Sequence, residues 1–252
     1  MAQEGARLKR KGAQGAGSGV GSGNKAQEIG SGPRARMRKV MLDAAMGLMQ
    51  DGLIPSVSDV AGAAQVSRAT AYRYFPSQAA LIQAAVDEAL GPILAWTSES
   101  QDPEERVTEL VTFAYPRMES YEATLKAALR LALDQWARRH AGTLGAEEPM
   151  VRGHRIELLA SALRPLKGEL SRAGYERLTQ SLSLIFGTEA FVVLKDIWGL
   201  DRRRAEKVAL WTCHALIQAA VAGDGSQGGG TRGDGAQRHG TKPKKAGRVG
   251  VK

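Results

Sequence analysis

The chain has 252 residues, a net charge of +9 and a pI near 9.8; at about 100–200 residues per domain, that allows one or two domains. Its 43% hydrophobic content is enough for a core, and 5% aromatics favours helices over a β-sandwich. The single cysteine, Cys213, excludes an intrachain disulfide framework or a cysteine metal cluster, and no apolar run approaches the ~18 residues of a membrane-spanning helix.

In chain order, the first element is a tail. Residues 1–39 carry nine Lys/Arg against two Glu, and residues 1–33 hold nine glycines. Such a segment buries too little apolar surface to offset its chain entropy, so 1–33 is predicted to be disordered. Glycine rather than an apolar stretch follows the basic residues, which argues against a signal peptide and for a cytoplasmic protein. The C-terminal 223–252, with seven Lys/Arg, two Asp and ten glycines, reads the same way. Basic tails of this kind either add salt-sensitive phosphate contacts or simply solubilise.

Between the tails, 34–222 reads as helix throughout. Pro33 suits a first helical turn, and Met37, Val40, Met41, Ala44 and Leu48 follow as an apolar stripe that Asp51-Gly52 ends. Ser56-x-x-Asp59 is a capping box that starts a second helix near Val57. Gln65-Val66 breaks it, Ser67 caps a third helix of about seven residues, and Pro76-Ser77 ends that one and caps a fourth up to Gly91-Pro92. Later periodic stretches cover about 103–115, 119–140, 150–171, 175–197 and 202–222, punctuated by Pro116, Pro149, Gly174 and Gly199, with Pro165 kinking or ending its segment. The count is nine helices, and no alternating strand pattern is present. The fold class is all-α, with a three-helix domain at 34–80 and a larger helical domain at 81–222.

The second and third helices are joined by four residues around Ala64–Ser67, which is helix-turn-helix spacing. The third helix offers Ser67, Arg68, Ala69, Thr70, Tyr72 and Arg73 to solvent, and Phe75 is the apolar anchor behind it. Hydroxyls suit phosphate oxygens, and an arginine near the start of such a helix suits base edges. For Tyr72 the plain alternative is aromatic packing, and for Arg68 and Arg73 a solvated face.

Residues 56–81, SVSDVAGAAQVSRATAYRYFPSQAAL, resemble the DNA-binding core of TetR/AcrR-type transcriptional regulators. The resemblance implies a nine-helix chain, a variable small-molecule domain and a homodimer built from the last two helices, here similar to 182–221. It implies phosphate contacts for Thr70 and Tyr72, and base or backbone contacts for Arg68 and Arg73; independently of it, the basic segment Arg34, Arg36, Arg38 and Lys39 is expected to meet the DNA backbone or minor groove. Three positions depart from the family pattern. Gln65 stands where Gly is usual, and a positive φ there costs a side-chain-bearing residue about 1–2 kcal/mol. Gln78 stands where a phosphate-contacting Lys is usual, and Ala71 where a larger apolar residue is usual.

No phosphate-binding loop motif and no pair of histidines at metal-ligand spacing occurs, and GSGVGSG at 17–23 fits no dinucleotide fingerprint, so neither an enzyme nor a cofactor or metal is expected. Phe113, Leu129, Leu133, Trp136 and Leu158 are candidates to line an effector cavity, with plain core packing as the alternative. Arg138, Arg139, His140, Arg152, His154 and Arg155 form either an anion-friendly rim or a solvated basic surface. Leu178, Leu182, Ile185 and Val192, with Val208, Thr212, Ala215 and Ala219, are the expected dimer face. The expected protein is a ligand-released repressor bound to double-stranded DNA; the alternative is a helical interaction or small-molecule-binding dimer that has lost DNA recognition.

Overall fold

The computed structural model describes residues 32–227, which divide after Leu81 into two compact units. The first contains α1 (Pro33–Gln50), α2 (Val57–Ala63), α3 (Arg68–Tyr74) and the start of α4 (Gln78–Leu94). The second holds the rest of α4, α5 (Pro103–Ser120), α6 (Glu122–His140), α7 (His154–Ala162), a 3-10 turn (Arg164–Leu166), α8 (Arg172–Leu182), α9 (Thr188–Phe191), a π-helical turn (Val192–Ile197) and α10 (Arg202–Gln227). All regular structure among the described residues is helical. The expectations of disorder at 1–31 and 228–252 lie outside those residues.

In the first unit, Pro33 opens α1, and Met41, Leu42, Ala45 and Met49 form its buried stripe. Gly52 then ends the helix at φ +80°, with Leu53 N–H bonded to Leu48 O at 3.1 Å. The capping box forms at α2: Asp59 N–H donates to Ser56 Oγ at 3.2 Å and Ser56 N–H to Asp59 Oδ2 at 2.8 Å. Those bonds from Ser56 hold the Asp59 carboxyl below its ordinary pKa. Ser77 caps α4 through Ala80 N–H at 3.1 Å.

In the second unit α10 packs on α5. Its buried stripe is Ala205, Ala209, Cys213 and Ile217, at four-residue spacing. Three of the four are small, so the two backbones approach closely. Burial pushes the Cys213 thiol up to about 12, so it behaves as a small apolar side chain. Tyr115 of α5 packs edge-on against Phe191, ring centroids 5.0 Å apart, and its hydroxyl donates to Ile185 O at 2.9 Å.

Two buried polar side chains tie down irregular chain. Arg106 is 1% exposed and donates to four carbonyls: Ser98 at 2.7 Å, Ser100 at 2.8 Å, Ser161 at 2.9 Å and Ala162 at 3.0 Å. It thereby fixes the α4–α5 loop and the C-terminal end of α7 to the first turn of α5. Gln135 of α6 donates to Glu147 Oε1 and Glu148 O and accepts from Met150 N–H, pinning the long α6–α7 connection.

Helix boundaries depart from the sequence expectation in several places. There are ten α-helices among the described residues, not nine. Helix α4 runs past Pro92 to Leu94, and α5 runs through Pro116 to Ser120. A proline deletes one ladder bond, and the burial of seven α5 side chains, from Arg106 to Met118, outweighs that loss. The stretch 150–171 yields only nine α-helical residues before the 3-10 turn Arg164–Leu166, which contains Pro165. In the stretch 175–197 the helix ends at Leu182 and resumes only after Gly187, whose φ of +143° no helix accommodates. Helix α10 continues five residues beyond the predicted boundary at 222.

Arg106→Leu leaves four carbonyls without their donor, and an unsatisfied buried acceptor costs about 1–3 kcal/mol. The expected loss of unfolding free energy is about 3 kcal/mol or more, measured by urea denaturation followed by circular dichroism.

Candidate nucleic-acid interface and cavity

Helix α3 has seven residues and is positioned at both ends. At its start, Ser67 Oγ accepts from Thr70 N–H at 3.0 Å and lies 2.9 Å from Thr70 Oγ1. At its end, Phe75 is buried, with the Arg38 guanidinium 5.8 Å from the ring centroid. Arg34 sits 5.8 Å from the Tyr74 ring. Ala71 is fully buried, so the small residue at this position brings the helix close to its support.

The preceding turn is a Schellman arrangement, with Val66 N–H bonded to Ala61 O at 2.9 Å and Gln65 N–H to Gly62 O at 3.1 Å. Its left-handed residue is Gln65, at φ +55°, the only non-glycine with positive φ among the described residues. The strain expected from the sequence is therefore present.

Ser67, Arg68, Ala69, Tyr72 and Arg73 are exposed, and Tyr72 keeps 48% of its surface open although it is aromatic. Among the described residues, Arg68 and Arg73 form no ion pair. Thr70 is half-buried, its hydroxyl engaged with Ser67. Arg36 is exposed on the first turn of α1. The Gln78 amide donates to Ile54 O at 3.2 Å and Pro55 O at 3.1 Å. Its donors hold the α1–α2 loop, a role that sequence reasoning missed because the partners are backbone atoms 23 and 24 residues away.

The second unit contains a cavity of about 90 Å³. Its apolar lining includes Leu90, Ile93, Met118, Leu125, Leu158 and Phe186; Arg152, His154, Arg155 and Gly187 also contribute. Of the candidates named from sequence, Leu158 lines it. Phe113, Leu129, Leu133 and Trp136 do not: Leu129 is half-buried elsewhere, Phe113 is exposed, and Leu133 and Trp136 are each 57% exposed. The inward stripe of α6 is Thr124, Leu125, Ala128, Leu131 and Gln135, which turns Leu133 and Trp136 outward.

The basic cluster at 138–155 separates into parts. Arg138 pairs with Glu147 at 2.8 Å and Asp134 at 3.5 Å, while Arg139 and His140 are exposed. Arg152 and Arg155 both bind the Glu189 carboxylate, and His154 Nε2 lies 2.9 Å from Asp87 Oδ1. Burial pulls the Glu189 pKa up, but the bonds from Arg155 and Arg152 outweigh it and hold the group below its ordinary value. Leu178 and Leu182, expected on a dimer face, are buried within the unit. Val208, Ala215 and Ala219 of the expected face are exposed, and Leu184, Val193, Ile197, Trp198 and Trp211 are exposed apolar residues at the same end.

Two short helices joined by a tight turn, the second capped, anchored and exposed on its polar face, define a helix-turn-helix unit. Residues 41–85, the helix-turn-helix and the start of α4, match the model for bacterial regulatory proteins of the tetR family. Over 56 residues it is 43% identical to the HTH-type transcriptional repressor LfrR of Mycolicibacterium smegmatis, a match covering 22% of this chain and 30% of that protein. The chain thus spans under a third of the length of the curated relative it matches. A tetR-family transcriptional regulator from Streptomyces coelicolor superposes with a TM-score of 0.56 at 21% identity, over 79% of this chain and 87% of that one, which shows a shared fold. A TetR transcriptional regulator from Rhodococcus sp. RHA1 gives 0.47 at 17% identity, over 74% and 97%.

Gln65→Gly relieves the left-handed strain, offset in part by glycine's greater freedom in the unfolded chain. The variant is expected to be more stable by about 1 kcal/mol, read as a rise in the denaturation midpoint.

Proposed function

We propose that the protein is a homodimeric, cytoplasmic transcriptional repressor that reads an operator through α3 and is released by a small molecule held in its second unit. The observation that carries the DNA-reading step is the exposed Arg68, Tyr72 and Arg73 face on a helix fixed at both ends. The tetR-family match over 41–85 and the repressor relative support the same reading. In this reading Tyr72 and the Ser67–Thr70 hydroxyl pair meet phosphates, Arg68 and Arg73 reach base edges, and Arg36 adds a backbone contact. A two-fold dimer sets two recognition helices ~34–36 Å apart on a palindromic site. An effector acts only by binding the DNA-incompetent state more tightly than the competent one.

The neutral Gln78 favours a second reading, in which the dimer has lost DNA recognition and keeps only its small-molecule or protein partners. Selection of binding fragments from genomic DNA separates the two, because the second reading predicts no enriched sequence. On the selected operator, Tyr72→Ala is expected to weaken binding to operator and scrambled DNA by similar factors. Arg68→Ala is expected to lose ~1–3 kcal/mol of discrimination between them. If neither variant changes affinity while the fold is intact, α3 is not the reader.

Self-association has its own support in apolar residues left open at the C-terminal end of the chain. Trp198 is 72% exposed and Trp211 73%, and Ile197 and Val208 are exposed with them. Trp211→Glu places a charge on this surface and is expected to convert a micromolar dimer to monomer in sedimentation velocity, with the thermal midpoint of the monomer retained. A parent that sediments as a monomer at that concentration overturns the dimer.

A further inference from the structure

We infer that the cavity of the second unit takes a small apolar molecule bearing one carboxylate, its head bound at Arg152 and oriented by Arg155. This rests on the reading of that unit as an effector-binding domain and names the chemical class of the effector.

Size comes first. At about 90 Å³ the cavity is far below the ~300–1,000 Å³ of drug-sized pockets. It is also smaller than an apolar cavity of about 150 Å³ that holds benzene. A short alkyl chain is the fitting apolar part, packed on Leu90, Ile93, Leu125, Leu158 and Phe186.

The polar side of the lining decides the head group. Both carboxylates nearby are already engaged. Glu189 gives one oxygen to Arg152 and the other to Arg155 at 2.5 Å. Asp87 Oδ1 accepts from Gln83 Nε2 at 2.9 Å and meets His154 Nε2 at the same distance. A cationic head would lie against the two guanidiniums of the lining, while Glu189 is already shared by both of them. The formal charges of Arg152, Arg155, Asp87 and Glu189 cancel, so attraction for an anion comes from directed donors rather than from the net charge of these four groups.

Those donors are on Arg152. Its Nη2 holds Glu189, while its Nε and Nη1 have no hydrogen bond among the described residues. Nη2 carries one N–H on each edge of the guanidinium, so its second N–H, with the open Nε–H or Nη1–H beside it, forms an edge that takes a ligand carboxylate in the bidentate manner. Arg155, by contrast, is fixed. Its Nη1 donates to Ser183 O at 3.0 Å, and its guanidinium lies flat on Gly187, where a Cβ would come within 2.6 Å of Cζ. Arg155 therefore holds Glu189 in place, and Arg152 is the arm that meets the ligand.

The test uses the full-length protein with three six-carbon probes that differ only in the head: hexanoate, hexan-1-ol and hexylamine. Binding is followed by isothermal calorimetry and by the concentration dependence of the thermal midpoint. Hexanoate is expected to bind and stabilise, with hexan-1-ol about tenfold weaker or worse and hexylamine silent, as loss of a charge-assisted hydrogen bond requires. Arg152→Gln should weaken hexanoate about tenfold or more and leave hexan-1-ol within about twofold. Arg152→Lys, which keeps the charge but not the fork, should fall between. Arg152 is an exposed side chain, so an unchanged melting curve without probe confirms that each variant is folded. Hexylamine or hexan-1-ol binding as tightly as hexanoate, or hexanoate binding that survives Arg152→Gln unchanged, overturns the carboxylate assignment and leaves an effector cavity standing. Silence from all three probes overturns the assignment as well. The effector-domain reading falls only if a broad apolar and amphipathic library is also silent.

Discussion

Seven residues form too few backbone hydrogen bonds to sustain a helix in water. The exposed face of α3 exists because groups outside it fix both ends: the Ser67 hydroxyl at the start, Phe75 and the buried Ala71 behind. The turn that aims it depends on Gln65 accepting a backbone conformation made for glycine. Everything on the polar side of α3 is then left without an internal task. The arginines need no partner and the tyrosine ring needs no burial, because capping and packing already support the helix.

The same division of labour recurs in the second unit. Arg106, Gln135 and Arg155 spend their donors on carbonyls and carboxylates inside the protein. Their role is to hold loops that have no regular hydrogen bonding of their own. A basic residue near a cavity is thus either a strut or a contact, and its count of satisfied donors tells them apart. Arg155 is a strut by that measure; Arg152 is not.

Local chemistry made the first unit legible from sequence. Ser56 with Asp59, Ser67, Ser77, Pro33 and Gly52 each act within four residues of the helix end they set, and each is found there. Even the strain at Gln65 followed from one position. The second unit was less legible because its boundaries answer to distant partners. A long periodic stretch resumes as helix only after Gly187, which makes room for Arg155, 32 positions earlier in the chain. Pro116 fails to end α5 because burial on both sides of it outweighs one missing bond. The candidate cavity residues went astray for a related reason. Periodicity marks Leu133 and Trp136 as a stripe without saying which side of α6 meets the core, and the inward side proved to be the one carrying Thr124 and Gln135. Leu178 and Leu182 went the opposite way, from an expected outer surface to the interior.

All four tryptophans, Trp96, Trp136, Trp198 and Trp211, lie beyond Leu81, and the first unit carries Tyr72 and Tyr74 as its aromatic hydroxyls. Intrinsic emission excited near the red edge of indole absorption therefore reports on the second unit alone, and loss of structure around α3 is silent to it. Trp136, Trp198 and Trp211 are water-facing in the single chain. Their emission maximum is accordingly long, and any covering of Trp198 and Trp211 shifts it to the blue. The placement of one residue type thus gives the molecule an optical channel confined to the second unit and its assembly, whereas phenol, present also as Tyr115, Tyr121 and Tyr175, reports on both units together.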